Sequence, residues 1–274
     1  MHYNSLMENK KNNNAFISVI MATCNGERFL KLAVESILTQ TFKEFEFLIV
    51  NDKSTDSTPD ILKAFSLKDK RIKVITNQEN LGLTKSLNKA LALAQGKYIA
   101  RMDDDDISLK ERLQKQFDFM ESHKEIALCG SLAFVIDERG VVIGEKNLAL
   151  DDKALNKKLL FNNQLVHSAW FLRANVLKEI GYYNEQFKKA QDYELLFRIA
   201  TKYKVCNLSE KLIKWRKREN SLSFQDKAQQ KYALKARWLA ITKYGYPKFL
   251  GLFYIIIRFV WLLIPLRVKK KIKT

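Results

Sequence analysis

The sequence predicts an α/β fold in which a doubly wound, mostly parallel β-sheet is flanked by helices and followed by a C-terminal helical appendage. From Phe16 to about Val135, short apolar runs alternate with segments of helical periodicity. The runs are apolar almost throughout, as expected for strands buried on both faces of a sheet. The β-α-β-α order favours parallel strands joined by right-handed crossovers. With 274 residues, 47% of them hydrophobic, the chain can form one large domain or one domain with an appendage.

Five strands and four helices are predicted in the first half of the chain. The strands begin near Phe16, Phe45, Arg71, Lys97 and Ile126. Apolar residues at helical spacing predict the first helix over 29–38 and the third over 83–94, which ends before Gly96. The second helix begins at Thr58-Pro59, because proline is tolerated in the first turn of a helix. The fourth is predicted to begin at a capping box that extends from Ser108 to Glu111.

After about residue 140 this alternation ends. Helices are predicted over 151–162, 173–180, 192–203 and 225–244, and strands over 165–172 and 212–215. No repeat and no low-complexity linker separates the halves, so we expect the second half to pack on the sheet. The expected organisation is a disordered leader over 1–15, a main domain over 16–224 and a helical extension over 225–274.

Charge and cysteine content exclude several classes of protein. Lys and Arg outnumber Asp and Glu by 48 to 30, and the net charge of +18 favours anionic partners such as nucleic acid, phospholipid headgroups or phosphorylated metabolites. Cys24, Cys129 and Cys206 form no Cys-x-x-Cys pair, so neither a disulfide framework nor a cysteine zinc site is expected. The first fifteen residues contain no apolar stretch typical of a signal peptide, and we expect the main domain to lie in a reducing cytosol. Glycine motifs typical of dinucleotide-binding proteins, nucleoside triphosphatases and serine hydrolases are absent from the sequence.

Polar and acidic loops follow three of the predicted strands. Asp103-Asp104-Asp105-Asp106 stands at the end of the fourth strand, the loop 51–57 follows the second, and the loop 23–26 follows the first. Ligands of open α/β sheets bind beyond the carboxyl ends of the strands, where these loops are expected to meet. Four adjacent carboxylates repel one another unless a cation lies between them, and Mg²⁺ and Mn²⁺ prefer carboxylate oxygens. The alternative is a solvated acidic turn that caps the next helix, with ordinary turn chemistry in the other two loops.

Five segments, in order, resemble the family 2 glycosyltransferases, which have a GT-A fold. They extend from about Ile17 to Ser223 and read SVIMATCNGERFL, ESILTQTFKEFEFLIVNDKSTDST, NLGLTKSLNKALALAQGKYIARMDDDDIS, HSAWFLRANVLKEIGYYNEQFKKAQDYELLFRIA and KLIKWRKRENSLS. The resemblance implies that 16–224 is a catalytic domain. It further implies an inverting hexosyl or N-acetylhexosaminyl transfer from a nucleotide-sugar, a UDP-sugar above all, with Mn²⁺ or Mg²⁺ as cofactor.

The resemblance implies roles for the residues of the donor side. Asp52 corresponds to the residue that binds the uracil edge, and Thr23 and Asn25 lie in the loop beside the nucleoside. Asp103 and Asp104 correspond to positions near the ribose and the diphosphate.

The resemblance also implies the groups that carry the reaction. Asp105 corresponds to the direct metal ligand, and a cation there stabilises negative charge on the leaving diphosphate. Asp192 corresponds to the general base, which accepts a proton from the attacking acceptor hydroxyl. Without the resemblance, a helix cap is the favoured role of Asp192, and Glu194 is a competing base. His167 and Arg216 correspond to contacts with the diphosphate or the acceptor.

The sequence departs from the family pattern at three places. Asn51 and Lys53 replace the common aspartate and glycine of the second loop, so Lys53 must either avoid a positive φ or bear some strain. Gln191 replaces the usual acidic neighbour of the base, and Lys217-Arg218 makes the closing motif more basic. No principal carboxylate is lost.

The apolar C-terminal segment, 249–266, is interrupted only by Arg258, and five cations follow it: Arg267, Lys269, Lys270, Lys271 and Lys273. A bilayer span needs roughly 20 apolar residues, so hydropathy alone leaves a span open. A span would leave the terminal cations opposite a cytosolic catalytic domain, against the positive-inside tendency. We therefore expect peripheral attachment to an anionic membrane surface, with a core helix or an oligomer contact as the alternative.

These observations lead to one functional hypothesis and two alternatives. The hypothesis is a metal-dependent, inverting glycosyltransferase at the cytosolic face of the inner or plasma membrane. Its acceptor is a glycan or a lipid-linked molecule in surface polysaccharide or lipooligosaccharide synthesis. The first alternative, a nucleic-acid-binding protein, uses the positive charge but leaves the acidic loops unexplained, so we expect no nucleic acid as a partner. The second is a non-catalytic membrane adaptor that keeps the fold.

Overall fold

The computed structural model describes residues 17–218 and 227–264. The strands within this part are β1 (Ile17–Thr23), β2 (Phe45–Asn51), β3 (Ile72–Thr76), β4 (Tyr98–Arg101), β5 (Ile107–Ser108), β6 (Ile126–Ile136), β7 (Val142–Lys146), β8 (Phe171–Arg173) and β9 (Lys204–Arg216). The described strands form one sheet in the order β3-β2-β1-β4-β8-β6-β9-β5, and β7 pairs with β6 outside this order.

Helices lie on both faces of this sheet and after it. They are α1 (Leu30–Leu38), α2 (Thr58–Lys68), α3 (Leu83–Leu93), α4 (Arg112–Ser122), α5 (Asp152–Leu159), α6 (Ala174–Ile180), α7 (Gln191–Lys202), α8 (Lys227–Lys243) and α9 (Lys248–Leu263). A single turn of 3₁₀-helix, His167–Ala169, precedes β8. The predicted α/β class and the helical C-terminal extension are therefore present.

The first half of the sheet is parallel and buried on both faces. β1 pairs with β2 and β4, and β2 with β3, all in parallel. Val19 packs in the cluster that contains Leu30 of α1, whereas its neighbour Ile20 packs with Leu87 of α3. Because each face of β1 is covered by a helix, every residue of the strand is buried and all but Ser18 and Thr23 are apolar, which is the pattern that predicted it. The ends of β1, β2 and β4 form the carboxyl edge of the sheet.

The second half of the sheet is mixed. β8 lies antiparallel between β4 and β6, and β6 pairs in parallel with β9 along most of its length. The predicted strand over 212–215 is only the end of β9, which begins at Lys204. Exposed polar residues in the middle of β9, including Ser209 and Glu210, hid the rest of this strand from the sequence analysis. The hairpin strand β7 was not predicted, because the neighbouring residues Val142 and Ile143 are both exposed and the sequence of β7 has no apolar–polar alternation.

Two further predictions are wrong in part. The capping box at Ser108 and Glu111 does not form. Ser108 lies in β5, opposite Ile213, and α4 begins at Arg112 without a side-chain cap. The strand predicted over 165–172 is replaced by the 3₁₀ turn and the three residues of β8. The 3₁₀ turn places the Ser168 hydroxyl against the acidic loop after β4.

The C-terminal helices pack on α7 and on each other. Gly251 permits the close approach of α9 to α8, since a Cβ at this position would collide with the side chain of Ile241. Large apolar side chains of α9 are exposed, among them Phe249, Phe253 and Ile256. No helix in the described part of the chain is long and apolar enough to cross a membrane. The predicted leader over 1–15, the boundary at 224/225 and the cations beyond 266 lie outside the described residues.

Candidate active site

The loops that follow β1 and β2 are joined through Asn25. Its Oδ1 accepts a hydrogen bond from the Thr55 N–H at 2.8 Å, and its own N–H donates to Ser54 Oγ at 3.0 Å. Asn25 has a φ of 54°, a left-handed conformation that asparagine tolerates better than most residues. Lys53 has a φ of 59°, so this residue bears the strain that the replacement of glycine implied.

Asp52 lies at the carboxyl edge, where its N–H donates to the Thr23 carbonyl at 2.8 Å. Its carboxylate is buried and accepts hydrogen bonds from the N–H groups of Leu81 and Gly82, each at 2.8 Å, and from Asn77 Nδ2 at 2.7 Å. These contacts fix the start of α3 against the end of β2. The predicted contact of Asp52 with uracil stays a prediction, and it has to be made beside three donors from the chain itself.

Asp103 and Asp104, the first two carboxylates after β4, have different partners in different parts of the site. Asp103 forms an ion pair with Arg101, which is almost fully buried, and accepts a hydrogen bond from Ser168 Oγ at 2.6 Å. Asp104 accepts a hydrogen bond from Thr23 Oγ1 at 2.5 Å. Thr23 and Asp104, two of the residues predicted on the donor side, are therefore in direct contact across the carboxyl edge.

Asp105 and Asp106 are held by the end of β9. The Nε of Arg218 lies 2.6 Å from Asp105 Oδ2 in an ion pair. The backbone N–H of Arg216 donates to Asp106 Oδ1 at 2.7 Å, and Ser168 Oγ contacts the other oxygen of Asp106. The single proton of the Ser168 hydroxyl is therefore shared between Asp103 and Asp106. Asp106 is 1% exposed and has a partner on each oxygen, whereas Asp105 is less buried.

The acidic loop fits a divalent cation. Carboxylate oxygens of Asp103, Asp105 and Asp106 lie within 4.8 Å of one another. Burial, together with the charges of Asp103 and Asp104, raises the pKa of Asp105 to about 6. Burial opposes ionisation of Asp103 as well, but the Arg101 guanidinium lowers the pKa of Asp103 to about 2. Burial is also the largest cause that raises the pKa of Asp104 and, more strongly, of Asp106. The oxygen ligands of this cluster are those that Mg²⁺ and Mn²⁺ prefer, and a bound cation would favour their ionised forms.

Arg216 positions the acidic loop through its side chain. Its Nε donates to the Asp105 carbonyl at 2.7 Å, and its Nη1 donates to the Asp137 carbonyl at 2.8 Å. The guanidinium lies over the ring of Phe29, 4.4 Å from the centroid. Its buried Nη2 donates no hydrogen bond within the described residues. The predicted contact of Arg216 with a diphosphate or an acceptor stays a prediction, and Nη2 is the atom available for it.

Asp192 is the second residue of α7, after Gln191. The residue before the helix, Ala190, has a left-handed conformation with a φ of 54°. Asn163 Nδ2 donates to Asp192 Oδ2 at 2.8 Å and so orients the half-buried carboxylate. Burial is the largest cause that raises the pKa of Asp192, and the charge of Asp103 adds to it. Asp192 therefore lies within electrostatic range of the acidic loop.

Glu194, the competing base, has its carboxylate occupied. It is fully buried, its oxygens pair with Arg198 at 2.9 Å, and Tyr244 Oη donates to it at 2.7 Å. His167 Nε2 lies 2.7 Å from Tyr183 Oη. Burial, together with the positive charge of Arg101, lowers the pKa of His167 well below its ordinary value, so this side chain is neutral near pH 7.

Lys146 of β7 is a candidate functional residue that the sequence analysis missed. Its Nζ lies 3.4 Å from the centroid of the Trp215 ring. Burial lowers the pKa of Lys146 to about 8, and the charges of Asp106, Asp192 and Asp103 oppose this lowering. The ammonium group thus lies within electrostatic range of both the acidic loop and Asp192. The sequence analysis could have placed Lys146 near this site only by predicting β7 as a strand of the sheet.

Comparison with known proteins assigns the chain to a family. The family described as "Glycosyl transferase family 2" matches residues 18–181, more than half of the chain. The chain belongs to the family 2 glycosyltransferases. The family that the sequence resembles is thereby confirmed.

Two relatives support the assignment to family 2. An uncharacterized glycosyltransferase of Methanocaldococcus jannaschii is 40% identical over 230 residues, which cover 81% of this chain and 79% of the relative. The amylovoran biosynthesis glycosyltransferase AmsE of Erwinia amylovora is 30% identical, with 92% of this chain and 95% of the relative covered.

Two solved structures confirm the GT-A-like fold of this glycosyltransferase. TarS residues 1–349 of S. aureus in complex with UDP-GlcNAc has a TM-score of 0.65 at 22% identity, covering 87% of this chain and 70% of that one. The mannosyltransferase PcManGT of Pyrobaculum calidifontis, in complex with GDP-Man and Mn²⁺, has a TM-score of 0.68 at 13% identity. It covers 95% of this chain and 76% of that one. At these identities the likeness concerns the fold.

Proposed function

We propose that this family 2 glycosyltransferase is a metal-dependent, inverting hexosyl or N-acetylhexosaminyl transferase. Its donor is a UDP-sugar, and its acceptor is a hydroxyl of a glycan or a lipid-linked molecule in surface polysaccharide or lipooligosaccharide synthesis. The observation that carries the proposal is the acidic loop at the carboxyl edge, with Asp192 in electrostatic range of it. The relative AmsE, which is named for amylovoran biosynthesis, supports the polysaccharide context.

The acidic loop supports a role for a divalent ion at the donor diphosphate. Asp105, with Asp103 beside it, is the residue that would hold Mn²⁺ or Mg²⁺, since Asp106 already has a partner on each oxygen. When bound, such an ion stabilises the negative charge of the leaving diphosphate. The Mn²⁺ bound to PcManGT, a protein of similar fold, supports this proposal.

Asp192 supports the acceptor half of the reaction. The attacking hydroxyl becomes acidic only as its bond to the sugar forms, so a carboxylate of moderately raised pKa suits the proton transfer. Asn163 holds the Asp192 carboxylate through one oxygen and leaves the other for the acceptor hydroxyl. Direct attack of that hydroxyl on the anomeric carbon inverts its configuration, so NMR of the product tests this part of the proposal.

A location at the cytosolic face of the membrane is part of the proposal. Phe249, Phe253 and Ile256 expose large apolar surfaces on α9, as expected of a helix that lies in a membrane interface. The net charge of +18 favours an anionic surface beside it.

The decisive experiment measures UDP release from a panel of UDP-sugars by the full chain, with Mn²⁺ and a membrane lipid extract as the source of acceptors. Asp105→Asn and Asp192→Asn are each expected to reduce turnover by about 10²–10⁴-fold. The two variants separate in donor binding, because Asp105→Asn weakens Mn²⁺-dependent binding of UDP and Asp192→Asn leaves it intact. Asp118→Asn, the same change at an exposed residue of α4, is the control and retains full activity.

The outcomes distinguish the alternatives. Normal turnover in both site variants would refute the assignment of these carboxylates. Mn²⁺-dependent UDP binding by the wild type, without transfer to any acceptor of the extract, would indicate the non-catalytic adaptor. Salt-dependent retention on DNA that UDP does not affect would indicate the nucleic-acid-binding alternative.

A further inference from the structure

A cavity of about 160 Å³ lies between α7 and the two C-terminal helices. One wall contains Asp192 and Asn163, and the other contains Leu234 of α8 and Trp261 of α9. An apolar cavity of roughly 150 Å³ accommodates benzene, so this one has room for a group of that size. The proposed general base therefore lines a partly open cavity, and the C-terminal extension forms the opposite wall of that cavity.

Two guanidinium groups line this cavity, and both contact the same backbone carbonyl. Arg237 is 5% exposed, and it donates to the carbonyls of Leu160 and Phe161 at 2.8 Å and of Ala233 at 3.0 Å. Arg258 Nη2 donates to the Phe161 carbonyl at 3.1 Å, and its guanidinium lies 4.7 Å from the centroid of the Phe161 ring. The two positive charges are thus held next to each other.

Neither guanidinium has a carboxylate partner among the residues that the structure describes. The ion pairs in this part of the chain include neither Arg237 nor Arg258. Burial lowers the pKa of Arg237, and the charge of Arg258 lowers it further, so the two cations repel each other. The buried Nε of Arg258 also donates no hydrogen bond within the described residues. A buried guanidinium, a partly exposed one next to it and an unused buried donor indicate a site for an anion.

The helix α9, which forms part of this cavity, also exposes an apolar face. Trp261 lines the cavity, and Phe253, Ile256, Phe259 and Val260 of the same helix are exposed. A ligand whose anionic group lies at the two arginines therefore has an apolar surface beside it. That combination of an anion site and an adjoining apolar helix fits an amphiphile with a phosphate headgroup.

We propose that Arg237 and Arg258 bind the phosphate of a lipid-linked acceptor, whose apolar chain lies along α9 and whose acceptor hydroxyl faces Asp192. This inference rests on the proposed function, because it assigns the acceptor of that same site. Planar guanidinium groups match phosphate oxygens in geometry, and the cavity provides the low-dielectric surroundings in which such contacts are strong. The C-terminal extension is then part of the acceptor site as well as a membrane contact.

The test uses isothermal titration of the full chain with dodecyl phosphate below its critical micelle concentration. Inorganic phosphate and the uncharged dodecyl maltoside are titrated in parallel. Dodecyl phosphate is expected to bind at least about tenfold more tightly than either, because it alone combines the charge with the chain. Arg258→Met, which keeps the apolar stem and removes the charge, is expected to weaken the binding of dodecyl phosphate by about tenfold to hundredfold.

Two further variants keep the result interpretable. Arg258→Lys retains the charge at a partly exposed position and is expected to stay within about threefold of the wild type. Arg139→Met removes the same charge from a side chain that is 85% exposed in the turn between β6 and β7, and it is expected to change nothing. Hydrolysis of the UDP-sugar is measured with every variant, because the anion site is not required for it.

Each outcome decides the inference. Equal affinity for dodecyl phosphate and inorganic phosphate would indicate a site for a soluble anion and overturn the lipid assignment. Equal affinity for dodecyl phosphate and dodecyl maltoside, or no effect of Arg258→Met, would overturn the role of the arginines. A wild type that hydrolyses UDP-sugars but does not bind dodecyl phosphate refutes this inference alone, whereas a wild type without any donor turnover refutes the proposed function.

Discussion

Replacing Gly26 by alanine tests how closely the loop after β1 (residues 23–26, the first loop) must approach the acidic loop (residues 103–106). The backbone of Gly26 does not have a positive φ, so alanine brings no backbone strain and acts only through its added methyl group. A Cβ at this position would lie 2.7 Å from Asp104 Oδ2 and closer still to Thr23 Oγ1. Both distances are far below the roughly 3.5–4.0 Å at which heavy atoms pack.

The size of the effect follows from the contacts that must change. Relief of the clash requires either a break of the 2.5 Å hydrogen bond from Thr23 to Asp104 or a shift of the backbone N–H of Gly26, which donates to Thr58 Oγ1 at 2.9 Å. A hydrogen bond to a charged group contributes about 1.5–3 kcal/mol, and overpacking costs about 1–3 kcal/mol. We expect a loss of about 1–3 kcal/mol in the free energy of unfolding. Because Asp104 is expected near the donor, kcat/KM should fall by about tenfold to hundredfold.

Urea denaturation measures the first quantity, and steady-state kinetics with varied nucleotide-sugar measure the second. Gly144→Ala is the matched control, because the nearest side-chain atom to a Cβ at that position is Val135 Cβ at 4.0 Å. A Gly26→Ala variant with the stability and the donor KM of the Gly144→Ala variant would show that the first loop does not depend on this close approach.

Two further predictions concern backbone strain and pH. Lys53→Gly is expected to raise the free energy of unfolding by about 1 kcal/mol or less, because relief of the left-handed strain exceeds the entropy that glycine adds to the unfolded chain. Urea denaturation checks this, and a loss of stability would contradict it. Since Asp192 acts as a base only when ionised and burial raises its pKa above the ordinary value, kcat/KM should fall with decreasing pH through a pKa above 3.8. A pH–rate profile that stays flat down to about pH 4 would contradict the role of Asp192.

The part of the fold that could be predicted is the part in which local sequence and burial agree. In the parallel half, helices cover both faces of β1, so its strand sequence is apolar at all positions except Ser18 and Thr23, and the helix sequences carry one apolar stripe each. β7 exposes the neighbouring residues Val142 and Ile143, and β9 exposes Ser209 and Glu210 in its middle, so neither strand has the pattern of a buried strand. Ser108 was misassigned because a serine and a glutamate at this spacing form a capping box only when the serine directly precedes the helix. Here α4 begins four residues later, at Arg112.

The candidate site divides in the same way. The positions of Thr23, Asp52 and Asp104 at one edge follow from chain direction alone, since parallel strands end at the same side of a sheet. Their partners could not be predicted, because they come from remote parts of the chain. The Arg216 N–H reaches Asp106 across 110 residues of sequence, and no local pattern signals such a contact. Arg216 was predicted for a ligand contact, yet most of its hydrogen bonds go to backbone carbonyls.

These remote contacts explain how a loop of four consecutive aspartates can exist in the folded protein. Asp103 depends on Arg101 from its own strand, but Asp105 and Asp106 depend on Arg218 and Arg216 at the end of β9. β9 reaches the loop where it is paired with β6 and β5, so the acidic loop has these partners only in the folded sheet. The pKa of Asp105 remains raised even then, because the carboxylate is buried and lies near the charges of Asp103 and Asp104, so added positive charge would favour its ionisation. A divalent ion supplies that charge, so ion binding should stabilise the second half of the sheet together with the donor site.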